Sequence, residues 1–124
     1  MEKIKVSERF RSAALKSNLK EIRRMMWTYE SKDYGKELTW AVANGLDNVV
    51  RCLVEEYANI EYSNGLPLYI AVKRNHFSIV KYLVSEYAIV KSKRNPINEA
   101  IMQGNKKMIK FLTESAAEQE SSIL

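Results

Sequence analysis

The side chains in this sequence that could do chemistry are few and scattered. His76 is the single histidine and Cys52 the single cysteine. A metal site with two imidazoles, a triad with a spare base, a thiolate cage or an intramolecular disulfide cannot be built from one such chain. His76 stands at the start of a helical pattern and reads as a turn residue. Cys52 falls at a position that later segments fill with Tyr82 and Phe111, which reads as packing rather than thiol reactivity. Glu55 and Glu56 would begin a carboxylate pair, but near the end of a surface helix solvated acids are ordinary. Gly35, Gly45, Gly65 and Gly104 are isolated, and none lies in a G-x-x-x-x-G-K phosphate loop. The residues imply no catalytic centre, no metal site and no cofactor, so the expected function is not enzymatic.

Composition points the same way. The 124 residues include only 4 Gly and 2 Pro, with 46% apolar and 28% charged side chains, which suits one helical domain rather than a loop-rich or disordered chain. The lone cysteine fits a reducing compartment, and no apolar run approaches the roughly 18 residues of a membrane span. The expected location is cytoplasmic. The net charge of +5 is unevenly placed: residues 1–36 carry ten Lys/Arg and five Asp/Glu, and residues 37–124 carry ten of each. Such polarity could orient an acidic partner or an anionic surface.

The elements that must position any site come from an internal repeat. The segment Ala41 to Ala58 aligns without a gap with Ala71 to Ala88, 30 residues later. A third copy begins at Ala100, 29 residues further on, and a weaker one at Ala14, 27 residues before Ala41. In each unit a short helix ends near Asn44-Gly45, Arg74-Asn75 or Gln103-Gly104, where Gly and Asn tolerate the left-handed conformation. Pro67 and Pro96 stand at helix starts. A second helix follows with an apolar face: Val49, Val50, Leu53 and Val54, then Ile79, Val80, Leu83 and Val84, then Met108, Ile109 and Leu112. Neither helix can bury its stripe alone, so neighbouring units must stack. Ala41, Ala71 and Ala100 are expected where paired helices approach most closely.

Pro67-Leu68-Tyr69-Ile70-Ala71 and Pro96-Ile97-Asn98-Glu99-Ala100, together with Asn75-His76 through Leu83-Val84, resemble the T-P-L-H-x-A and G-H-x-x-V-V-x-x-L-L stretches of ankyrin repeats. The resemblance covers about Phe10 to Ala117. It implies an all-α, ankyrin-like solenoid of about four helix-turn-helix repeats with short fingers, spanning 1–117. The units fall at about 8–36, 37–65, 66–94 and 95–117, followed by a flexible tail at 118–124. The period of 27 to 30 residues, against the usual 33, looks most like arrays encoded by large DNA viruses and intracellular bacteria. Tyr57, Tyr87 and Ala116 replace the glycine that usually ends the second helix. They are expected to resist positive φ, so that this helix ends differently. Met26 aligns with Leu53 as a core residue, and Trp27 with Val54 as a seal for the amino-terminal end.

The resemblance also implies a protein partner held in the concave groove. It names Tyr34, Trp40 and Asn44 in the second unit, Tyr62, Asn64, Ile70, Lys73 and Arg74 in the third, and Lys93, Arg94, Glu99 and Gln103 in the fourth. Trp, Tyr and Arg are the side chains most enriched at interface hot spots. Trp40 and Ile70, one residue before the packing alanines, could equally cover the inter-helix seam. The expected function is protein–protein interaction, as a viral or bacterial inhibitor or adaptor acting in the host cytoplasm on a host or regulatory protein. The alternative is nucleic-acid or anionic-surface binding through the basic first repeat. No membrane span is expected. The chain is expected to be a monomer, or a weak homo-oligomer through a C-terminal end that exposes apolar surface of its second helix.

Overall fold

The computed structural model describes residues 4–28 and 32–122. Residues 29–31 of the first expected unit and 123–124 of the expected tail lie outside the described residues. Eight helices follow one another: α1 (Glu8–Leu15), α2 (Leu19–Thr28), α3 (Gly35–Ala43), α4 (Asp47–Glu55), α5 (Tyr62–Lys73), α6 (Phe77–Ser85), α7 (Pro96–Gln103) and α8 (Lys106–Ser121). Seven have 12 residues or fewer, lengths at which an isolated helix is marginal in water. Their stability comes from stacking. Each odd helix packs on the even helix after it, α3 on α5 and α5 on α7 form one layer, and α2 on α4 and α4 on α6 form the other.

The packing alanines stand where the repeat places them. Ala14, Ala41, Ala71 and Ala100 are fully buried, as are Ile22, Val50, Leu53, Val80, Leu83, Met108 and Leu112 from the second helices. Ser7 caps α1 by accepting the Phe10 N–H at 3.1 Å, and Asn105 caps α8 by accepting the Met108 N–H at 3.1 Å. Pro96 opens α7 at a position where its missing N–H costs nothing. Pro67 follows a left-handed run at Ser63, Asn64 and Gly65, after which the regular part of α5 begins.

First helices end as their sequence suggests. Gly45 and Gly104 have φ of 66°, Asn75 of 56° and Ser17 of 52°. In α3 the Gly45 N–H donates to the Val42 carbonyl and the Leu46 N–H to that of Ala41, each at 3.0 Å, and the other three units repeat this pair. The two bonds satisfy carbonyls the helix leaves unpaired.

The ends of the second helices correct the sequence expectation. Tyr57 and Tyr87 do adopt positive φ, 67° and 70°, and close α4 and α6 with the same two bonds: Tyr57 N–H to Val54 O at 3.0 Å and Ala58 N–H to Leu53 O at 2.9 Å, then Tyr87 to Val84 and Ala88 to Leu83, both at 3.0 Å. The paired bonds and the burial of Ala58 and Ala88 outweigh the ~1–2 kcal/mol cost of a left-handed non-glycine residue. Helix α8 does not stop at Ala116 and runs on to Ser121. The expected tail is thus helical through residue 121. Gln119 holds it, accepting the Val90 N–H at 3.0 Å and donating to the Ala88 carbonyl at 2.7 Å, and Lys91 pairs with Glu120.

The fingers are reduced to turns, with no strand among the described residues. Side chains strap one connector to the next. The Asn59 N–H donates to the Asp33 carbonyl at 2.8 Å and its amide to the Asp33 carboxylate at 3.1 Å, while Glu61 accepts the Ile89 N–H at 2.8 Å. The large exposed apolar side chains at the C-terminal end, Ile101 and Met102, belong to the first helix, while Ile109 of α8 is half-buried. Ile101 is exposed where its counterparts Val42 and Val72 are buried, whereas Met108, Leu112 and Ala116 of α8 are covered.

Candidate functional site

Because α3, α5 and α7 stack, residues of one register fall in rows across them. One row holds Trp40, Ile70 and Glu99, and the next holds Asn44, Arg74 and Gln103. Trp40 is half-buried and meets Phe10 edge to face, with ring centroids 5.9 Å apart. Ile70 is half-buried against the core. Both therefore cover the helix seam while leaving part of their surface in solvent. Asn44 ends α3 by donating its amide to the Trp40 carbonyl at 2.8 Å. Gln103 does more, donating to the Lys73 carbonyl at 3.1 Å and to the Glu99 carboxylate at 3.2 Å, so α7 supplies a partner for the open end of α5. Glu99 also accepts the Tyr69 hydroxyl at 3.4 Å. Burial, and then the Glu99 charge, push that phenol above its ordinary range. Lys73 and Arg74 are exposed and make no side-chain bond among the described residues.

The connector residues divide. Tyr34 is 3% exposed, and its hydroxyl donates to the Met25 carbonyl at 2.8 Å. It joins the first two units and offers no ring to a partner, which corrects its place on the groove. Tyr62 is half-buried with its ring over Gly35. Asn64 is exposed in a left-handed turn with φ of 61°. Arg94 donates to the Ser63 carbonyl at 2.7 Å and hydroxyl at 2.8 Å, a strap between connectors, and Lys93 beside it is exposed. One exposed residue escaped the sequence reading. Met102 lies 29 positions after Lys73, in the same register of α7, and that offset was available to find it.

The model for ankyrin repeats, in three copies, matches residues 38–122. The chain belongs to the ankyrin-repeat family. Comparison with curated proteins and with solved structures returns no match. The family match begins inside the second unit, and the α1–α2 pair before it joins the ankyrin stack chiefly through α2 on α4, with Phe10 of α1 against Trp40 of α3. Ankyrin repeats are in general protein–protein interaction modules.

Within this ankyrin stack Cys52, His76 and Glu56 are occupied in packing and pairing. Cys52 is buried, with Sγ 4.0 Å from the Leu19 carbonyl, and burial pushes its thiol above the ordinary range. His76 precedes α6 with its ring 3.0 Å from where a Cβ on Gly45 would stand. Glu56 accepts the Trp27 indole N–H at 3.0 Å and pairs with Arg23 at 3.4 Å. Trp27 is 69% exposed, so it does not seal the amino-terminal end: the indole turns outward to the next unit's carboxylate. Met26 is buried as expected. Among the described residues no group of His, Cys, Asp or Glu could hold a metal ion, and no helix is long and apolar enough to cross a membrane.

Proposed function

We propose that this chain is a non-catalytic ankyrin module that holds another protein against the exposed side of α3, α5 and α7, as an inhibitor or adaptor. The observation that carries the reading is the pair of cations Lys73 and Arg74 at the end of α5, exposed and unbonded among the described residues, beside the half-buried apolar surface of Ile70 and Trp40. A hot spot needs such an arrangement, an apolar centre with charge at its rim. The straps through Gln103 and Arg94 hold the row rigid before binding, which lowers the ordering cost of association. The 29–30 residue period supports placing the module among the short-repeat arrays of large DNA viruses and intracellular bacteria, with a host or regulatory protein as target in the host cytoplasm.

Nucleic-acid binding through the first repeat is the weaker reading. Its cations are interleaved with acids: Arg9 and Arg24 meet Glu21, and Arg23 meets Glu56. The test is substitution of the row. Ile70→Ala and Arg74→Ala should each weaken capture of the partner by roughly tenfold or more with helical content intact. Unchanged capture in both would remove this face from consideration, and binding to a DNA or RNA duplex that falls steeply with salt would favour the alternative.

A further inference from the structure

We propose that the outer face of the first repeat is a second docking surface, built for an acidic peptide segment that carries an apolar anchor residue. Lys20, Arg23, Arg24, Trp27 and Thr28 recur at the helical spacing of one face of α2, while Ile22, Met25 and Met26 on its other face are buried. These five line a cleft of about 500 Å³, a volume at the small end of ligand-binding sites and enough for one or two side chains. The surface lies in the layer of second helices and shares no residue with the row on α3, α5 and α7.

Three observations go beyond exposure. Trp27 is held in place while its ring stays in solvent, because its N–H is bonded to Glu56, whose other oxygen faces Arg23. A fixed aromatic face loses little freedom when a ligand covers it. Trp27 also lines a second cleft, of about 370 Å³, together with Tyr57. Tyr57 is 93% exposed at a φ of 67°. Glycine would meet that backbone more easily, and the tyrosine ring buries almost nothing in the fold, so folding gives no reason for an aromatic residue there.

The charge specifies the partner. Lys20 makes no ion pair among the described residues, and Arg24 touches Glu21 only at 3.8 Å with its side chain 75% exposed. Both remain open to incoming carboxylates. Glu21 and Glu56 are interleaved with them, so a phosphate backbone with a charge at every nucleotide would be forced against these acids. A peptide can place single carboxylates at Lys20 and Arg24 and an apolar side chain on Trp27.

The test uses the full chain and a fluorescein-labelled peptide of alternating Glu and Leu, read by anisotropy. Its Lys/Leu counterpart and an oligothymidylate of equal length are the competitors. Saturable binding of the Glu/Leu peptide is expected, weakened about tenfold by W27A and by the double variant K20E/R24E, with no binding of the Lys/Leu peptide. The double variant changes only exposed side chains and decides the matter if W27A folds poorly. Y57G separates binding from stability, because it should lower peptide affinity while holding or raising the urea midpoint. Failure of the Glu/Leu peptide to bind, equal binding of the Lys/Leu peptide, affinity untouched by K20E/R24E, or tighter binding of the oligothymidylate would each overturn the proposal.

Discussion

The ring of Tyr62 lies on Gly35, filling the space that a side chain at position 35 would need. Gly35 opens α3 and Tyr62 stands just before the left-handed run that leads into the regular part of α5, so the contact ties the connector before α5 to the start of α3. A Cβ at Gly35 would overlap the Tyr62 Cβ as well as its ring, and the Cβ cannot swing away as a side-chain tip could. Gly35→Ala should therefore destabilise the fold by about 1–3 kcal/mol, read as a lower urea midpoint.

Tyr87 lies 85% exposed at a left-handed position that glycine adopts without steric cost. Tyr87→Gly relieves about 1–2 kcal/mol of backbone strain and returns roughly half of it through the greater freedom of an unfolded glycine. The expected net gain is about 0.5–1 kcal/mol, measurable by equilibrium denaturation.

Ala71 is fully buried in the middle of the stack, where α5 lies against both α3 and α7. Ala71→Leu should cost about 1–3 kcal/mol by wedging these helices apart, and the loss should appear as reduced amide protection in α3 and α7 as well as in α5.

Asp33 accepts the Gly35 N–H at 2.9 Å and the Asn59 amide at 3.1 Å. The Gly35 bond first, then the Asn59 bond, hold its carboxyl below the ordinary value of 3.8, with burial opposing and Lys32 assisting. A pKa depressed in the folded state means that the unfolded state binds the proton more readily. The stabilisation is complete at pH values above 3.8 and disappears as pH falls through the lower folded value. Asp33→Asn should flatten this acid-side loss when urea midpoints at neutral pH are compared with those below about pH 4.

Gln119 gives one side chain to both Val90 and Ala88. Gln119→Ala should free the last turn of α8, with faster amide exchange at residues 117–121 and a loss of about 1–2 kcal/mol.

What was legible in the sequence was what repeats. The alanines at 14, 41, 71 and 100 and the left-handed turns at Gly45, Asn75 and Gly104 follow from periodicity and local backbone preference, and the structure places them accordingly. At Tyr57 and Tyr87 propensity opposes the positive φ that the chain adopts, and the closing bonds and the buried alanines that follow override it. Tyr34 looked like an interface aromatic by residue type. Its burial depends on the path of a connector that carries no period. Trp27 turned outward through a bond to Glu56, 29 positions away, and the end of α8 is held by Gln119 reaching 29 and 31 positions back to Val90 and Ala88. Side-chain contacts of that range leave no local signature.

Site-specific photocrosslinking decides whether the exposed side of α3, α5 and α7 holds the partner. A benzoyl-phenylalanine is placed at Ile70, on the proposed face of α5, or at Lys110, exposed on α8, and each chain is irradiated in native-cell extract. A covalent protein adduct is expected from position 70 and none from position 110. An adduct from position 110 with none from position 70 would contradict this placement of the partner.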